Sequence, residues 1–331
     1  MKSKISIRFR IIIAIVSAVS ASVMAGSVMA AVLPYPSKLL DDLKSKDPMV
    51  RLSAVQAIKP FDDRASIALL QDIVRSDPDS NIRVHALGGI WNRHDVASAR
   101  ILEYVLITDK SIEVKKAAAG ALGTIGHETS IPFLLNALAT QKDEILASKC
   151  IRSIGQLGQS FATGPILHFL NANNPPLLRG TAAEALGKLG SELAVKPLME
   201  VLESDPGPIV RSLAAVAIGK LKHPSSRNIL ARSLVFDSSE TVRYRSAEAL
   251  AKFEKSDISR LAYLDGIKDI DRRVRYVSLK SLSPMMRKED IPALTDLLAD
   301  EAESIRDLAY QVLGKTGLVM EKVGNRYRVV K

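Results

Sequence analysis

The chain has 331 residues, 47% of them hydrophobic but only 5% aromatic, a formal net charge of +10 and a single cysteine. Residues 1–30 hold four of the bases and no acid, so the remainder is only mildly basic. That argues against a nucleic-acid binder, which concentrates far more positive charge on one face, and the lone cysteine excludes any disulfide within the chain.

The first thirty residues have the layout of an export signal. Lys2, Lys4, Arg8 and Arg10 form a basic start, Ile11 to Val23 is an uncharged apolar run, and Val28-Met29-Ala30 suits a cleavage site. The expected mature chain begins at Ala31 and is periplasmic or secreted. The alternative is an uncleaved anchor, since about 20 apolar residues span a bilayer. Ser17, Ser20, Ser22, Gly26 and Ser27 dilute the run and favour cleavage. Membrane contact is expected only through this segment if it stays uncleaved.

Residues 31–317 repeat themselves. An apolar residue followed by a base recurs at Val50-Arg51, Ile82-Arg83, Val114-Lys115, Leu178-Arg179, Val210-Arg211, Val242-Arg243, Val274-Arg275 and Ile305-Arg306, and Leu146-Ala147 holds the slot without its base. The step is 32 residues throughout and 31 at the end. A fixed period of this size marks a solenoid, whose units bury their apolar faces only by stacking on neighbours. The repeat therefore overrides the two-domain prior that length alone would give.

Each unit reads as a helical hairpin. In residues 191–204, Leu193, Val195, Leu198, Val201 and Leu202 fall on one helical face. Asp205-Pro206-Gly207-Pro208 breaks the pattern, and Ile209, Val210, Leu213, Ala214, Ala217 and Ile218 mark a second helix. First helices are expected near 36–45, 63–76, 94–108, 128–140, 161–172, 191–204, 225–236, 257–268 and 288–299. Second helices are expected near 47–59, 79–91, 111–125, 143–157, 175–189, 207–221, 239–253, 271–283 and 302–315. Alanine and glycine in the second helices permit close helix contacts. An aspartate recurs at Asp77, Asp109, Asp205, Asp237, Asp269 and Asp300. It is expected to cap the second helix and to take part with the arginines in a ladder of charges. Cys150 occupies a slot held elsewhere by Ala118 or Ala182, so it reads as a small core residue.

The tail, residues 318–331, changes character. Two β-prone runs flank Gly324-Asn325, a hairpin signal. Such a hairpin serves either to cover the last repeat or to offer an edge strand to a partner.

The unit Asp-x5-Arg-x2-Ala-x2-Ala-Leu-Gly-x-Leu-Gly resembles HEAT repeats, above all the short bacterial kind named after the phycobilisome lyases. Ala118 to Gly126, Ala182 to Gly190 and Ala309 to Gly317 carry the likeness best. The resemblance implies an all-α fold, a right-handed α-solenoid of about nine HEAT-like hairpins, with the C-terminal β-hairpin added. It leaves function open, because such repeats serve scaffolds, lyases, hydroxylases and DNA-repair proteins.

No catalytic set, cofactor or metal site is expected. The hydroxylases of this class use several His-Glu pairs to hold iron, whereas His127-Glu128 stands alone here, in an expected turn. In HEAT-like stacks the second helices line the concave face. There Tyr244 and Tyr276 occupy one slot in successive units, with Arg245, Arg272 and Lys280 near them in sequence. Tyrosine and arginine often anchor interfaces. The expected function is an exported, non-enzymatic scaffold that holds a protein or peptide at these five residues. The alternatives are a lyase- or hydrolase-type enzyme without a visible motif and a structural subunit of an envelope assembly.

Overall fold

The computed structural model describes residues 36–91, 95–324 and 326–330. The expected export signal and its cleavage site lie outside them. The described residues form eighteen α-helices in nine consecutive pairs, closed by a two-stranded antiparallel sheet.

The first members of the pairs are α1 (Lys38–Asp42), α3 (Arg64–Ser76), α5 (Val96–Thr108), α7 (Ile131–Thr140), α9 (Thr163–Leu167), α11 (Val195–Ser204), α13 (Arg227–Phe236), α15 (Asp257–Gly266) and α17 (Ile291–Asp296). The second members are α2 (Pro48–Ile58), α4 (Ser80–Leu87), α6 (Ile112–Ile125), α8 (Glu144–Leu157), α10 (Pro176–Leu189), α12 (Pro208–Leu221), α14 (Glu240–Leu250), α16 (Arg272–Leu282) and α18 (Glu303–Gly314). Three first helices, α1, α9 and α17, are shorter than the spacing suggests, and tight three-residue turns flank α9 and α17 at either end.

The stacking is asymmetric. From α2 to α14 successive second helices pack directly on one another, while successive first helices touch much less. Between repeats seven and eight the order reverses, and α13 and α15 touch more than α14 and α16. Elements that lie closer together lie on the inside of a curved stack, so the second helices form the inner face. The core runs unbroken along the stack, from Val55 and Ile58 to Val312 and Leu313. Cys150 is fully buried within it, and burial pushes its thiol up to about 12.

Two devices fasten one pair to the next, one at each end of the second helices. At the N-terminal end the recurring arginine bridges two repeats. Arg211 donates from Nη1 to the Asp205 carbonyl of its own repeat at 2.9 Å, and from Nε and Nη2 to the Asp237 carboxylate of the next at 2.8 Å each. The same fork joins Arg51 to Asp77, Arg83 to Asp109, Arg179 to Asp205, Arg243 to Asp269 and Arg275 to Asp300. The two missing rungs follow from the sequence: at one interface Gln141 stands where the acid would be and Lys115 donates to the Ile107 carbonyl of its own repeat, and at the next Ala147 stands in place of the base. The aspartates do not cap the second helices as expected. Asp77, Asp205 and Asp237 end the first helices, and each accepts the backbone N–H two residues on, which folds the turn. Where a side chain does cap a second helix it comes later: Asp47, Asp79, Asp143 and Asp271 accept backbone N–H groups at the starts of α2, α4, α8 and α16.

At the C-terminal end the device is close approach. A Cβ added to Gly155, Gly187 or Gly219 would lie 2.7 Å from the Cα of Ala185, the Cα of Ala217 or the Cβ of Ala249 in the next repeat. One added to Gly123 would lie 2.8 Å from the Cβ of Ser153. Only a residue without a side chain fits there. This run of glycines coincides with four second helices of 14 residues each, α6, α8, α10 and α12.

In the tail, β1 (Met320–Val323) pairs with β2 (Arg326–Val329) around a two-residue turn, with Val323 opposite Arg326. The hairpin lies on α18. The Tyr327 ring stacks on Tyr310 at 4.4 Å between centroids, and its hydroxyl donates to Asp307 at 2.8 Å. Met320 and Tyr327 pack against the core and extend it past the last helix.

Candidate functional site

The regular stacking changes after α12. The next slot in the glycine series is Ala251, and there α14 has already ended at Leu250. Both α14 and α16 have 11 residues, about one turn fewer than the four helices before them. Ala251 is exposed, whereas Gly219 is buried against Ala249 of the following repeat. The Arg243–Asp269 rung still fastens the other end of this interface. The result is a gap between repeats seven and eight at the C-terminal ends of their second helices.

The gap is a pocket of about 560 Å³. Its apolar part is built by Leu250, Phe253, Val277, Pro284 and Met285. Tyr263 lies deep in it, fully buried, with its hydroxyl donating to the Ala247 carbonyl at 3.2 Å. Burial pushes that phenol well above its ordinary range. Val216, Glu248 and Lys280, which share one slot on successive second helices, place the pocket against the inner face. Four cations line it, Arg245, Lys252, Lys255 and Lys280, against one acid, Glu248. Two grooves between other repeats are smaller, about 430 Å³ beside Arg211–Asp237 and about 240 Å³ beside Arg83–Asp109.

Beside the pocket, Tyr244 is held from several sides. Its hydroxyl donates to Glu248 Oε1 at 2.6 Å, which together with burial raises the phenol's pKa. Arg245 donates to the other oxygen of Glu248 at 2.8 Å, and its guanidinium lies 5.2 Å from the Tyr244 ring centre. Arg273, from the next repeat, lies 5.6 Å from the same ring, a cation–π distance. Arg273 is held in turn by Asp271, whose carboxyl it keeps below the usual carboxylate range.

The five residues singled out by sequence therefore separate. Tyr244, Arg245 and Lys280 meet at or beside the pocket, with Arg245 and Lys280 in its wall. Tyr276 lies on α16, about 40% exposed, outside the lining. Arg272 is exposed at the start of α16 and also lies outside it. Its neighbour Arg273 is the one that reaches Tyr244. Sequence reasoning passed over Arg273, although it stands 29 residues after Tyr244, close to one repeat. It also passed over Lys252 and Lys255. Their signal was the loss of the glycine at slot 251, which ends the close approach and leaves the following turn exposed.

Among the described residues no cluster of three or more histidine, cysteine or acidic side chains is placed to hold a metal ion. No helix there is long and apolar enough to cross a membrane.

A family profile for HEAT repeats matches residues 73–150, 131–219 and 195–283, three overlapping spans that together cover more than half of the chain. Curated protein sequences yielded no match. Among solved structures, the chain is similar to YibA of Escherichia coli, at 19% identity over 82% of this chain and 98% of that one, with a TM-score of 0.54. It is similar to importin beta at 13% identity, covering 84% of this chain and 45% of importin, with a TM-score of 0.56. A weaker likeness, with a TM-score of 0.39, links it to the CpcE–CpcF complex of phycocyanin lyase from a Nostoc species, at 16% identity over 87% of this chain and 99% of that one. With its 32-residue period, paired helices and matched profile, the chain belongs to the HEAT-repeat family.

Proposed function

We propose that the chain is an exported, non-enzymatic scaffold that binds a protein or peptide partner on its inner face, at repeats seven and eight. The carrying observation is the local break in a regular stack. A pocket opens against the inner face where the glycine contact is missing, and a tyrosine is held ready beside it by Glu248, Arg245 and Arg273. Tyr276 extends the same surface by one repeat. Solenoids present long concave surfaces of the area that specific protein interfaces need, about 1,600 Å². Export rests on the basic start, apolar run and small-residue site within residues 1–30.

The test is a photo-crosslinking residue at Tyr276 in the exported protein in its own cells, with a control at Glu200 on α11. One dominant protein adduct at 276 and none at 200 is expected. Normal export without an adduct at 276 defeats this reading.

A further inference from the structure

We infer that the pocket between repeats seven and eight takes an acidic peptide segment anchored by one apolar side chain. This names the partner chemistry of the scaffold reading and rests on it. Four cations face the cavity, and its one carboxylate, Glu248, is already bound by Tyr244 and Arg245. Lys255 donates to the Pro284 carbonyl at 3.0 Å, while Lys252 and Lys280 are exposed and make no ion pair among the described residues. An anionic occupant therefore meets two ammonium groups without displacing an existing partner. A basic peptide meets net positive charge and only an occupied carboxylate.

The apolar part sets the second requirement. A volume of about 560 Å³ falls in the range of built ligand sites, and Leu250, Phe253, Val277 and Met285 offer an apolar surface to one inserted side chain. The wall is not hydrocarbon throughout. Ser259, Ser281 and Tyr263 are part of it, with the Tyr263 hydroxyl bonded to the Ala247 carbonyl and Ser259 to Ser256, so a long lipid chain would run against polar groups as well as carbon. The mouth lies on the inner face, where Tyr244 and Tyr276 extend the surface over which the rest of an extended segment runs.

The probes are three pentapeptides, blocked at both ends: Glu-Glu-Phe-Glu-Glu, the same with glycine for phenylalanine, and Lys-Lys-Phe-Lys-Lys. They are titrated into the full chain carrying labelled methionine methyl groups, and the Met285 signal is followed. The acidic phenylalanine peptide should shift that signal, at least tenfold more tightly than either of the others. Lys252→Glu with Lys280→Glu should weaken it at least tenfold. Ala251→Trp, which fills the pocket from an exposed position and leaves the charge unchanged, should do the same.

Equal binding of the glycine peptide, or full binding to Ala251→Trp, would mean attraction by surface charge alone and overturns the inference. So does a Met285 shift with dodecanoate but with none of the peptides, which would mark a site for lipid-like anions. A partner captured at Tyr276 while the acidic peptide leaves Met285 unmoved overturns the pocket assignment and leaves the scaffold reading standing. Peptide binding as expected with no captured partner supports the pocket and defeats the scaffold reading alone.

Discussion

The interfaces between repeats five and six and between repeats seven and eight are built from the same parts and differ in one of them. Between five and six, Arg179 grips Asp205 at the N-terminal end of the second helices, and Gly187 lies against Ala217 at the other. Between seven and eight the rung is kept, Arg243 to Asp269, while the glycine is replaced by Ala251 and the helix stops short. The first interface closes along its length and the second closes at one end only. The contrast extends over the stack. Where both rungs are missing, at Lys115–Gln141 and Ala147, the glycines Gly123 and Gly155 are present. Every interface among these keeps at least one fastener, and at repeats seven and eight the pocket opens at the end where the second is missing.

The rung is the larger contribution. Arg179 and Asp205 retain only 5% and 4% of their side-chain exposure. Removing one partner of such a pair leaves a buried charge unmatched, at a cost of about 3–5 kcal/mol. Asp205→Ala should lower the unfolding free energy by that amount in urea titrations. Asp269→Ala should also remove hydrogen-exchange protection from α16, because no close glycine contact holds that interface. Equal protection of α12 in Asp205→Ala and of α16 in Asp269→Ala would break the comparison.

The close approach comes next. Gly187→Val forces two branches into a space where even a Cβ lies 2.7 Å from the Ala217 backbone. Overpacking of this kind costs about 1–3 kcal/mol. Ala251→Val, at the equivalent but exposed slot, should change stability by less than about 0.5 kcal/mol. Thermal melts of the two variants compare the slots directly, and a loss of similar size in both would mean that slot 251 is as tightly packed as slot 187.

The architecture was legible in the sequence because a repeat states its contacts many times over. The period placed the helices, and the matched periods of arginine and aspartate announced the ladder. The direction of each bond was not legible. Arg211 reaches the carboxylate of the following repeat and the carbonyl of its own, a choice made by the rise between helices rather than by spacing in the chain. The site was legible only in part, for the opposite reason: it lies where the pattern lapses. Tyr244, Arg245 and Lys280 were visible as unusual residues in regular slots. The pocket itself comes from an absence at Ala251 and from a helix that ends early, which a search for distinctive residues does not register. Arg273 was passed over because it meets Tyr244 from the next repeat, not from the same helix.

The smallest expected effect concerns the tyrosine at the open interface. Tyr244 donates to the Glu248 carboxylate, and that bond favours the protonated phenol, so its pKa is raised above the ordinary value. Burial acts in the same direction, while Arg245 and Arg273 favour the phenolate and pull it down. Glu248→Gln removes the negative charge and keeps an acceptor of similar shape. The two arginines then act against burial alone, and the titration of Tyr244 should move down, as followed by the ring-carbon NMR signal. Because the raised pKa belongs to the folded state, the bond contributes its stability below the unfolded tyrosine pKa and loses it as pH rises through the folded one. In Glu248→Gln that alkaline loss should shrink, while Tyr263, whose hydroxyl is bonded to a backbone carbonyl and lies deep in the pocket, keeps its titration unchanged. A Tyr244 titration unmoved by the substitution would show that burial, not the carboxylate, holds the ring protonated, and that the open interface is as dry as the closed one.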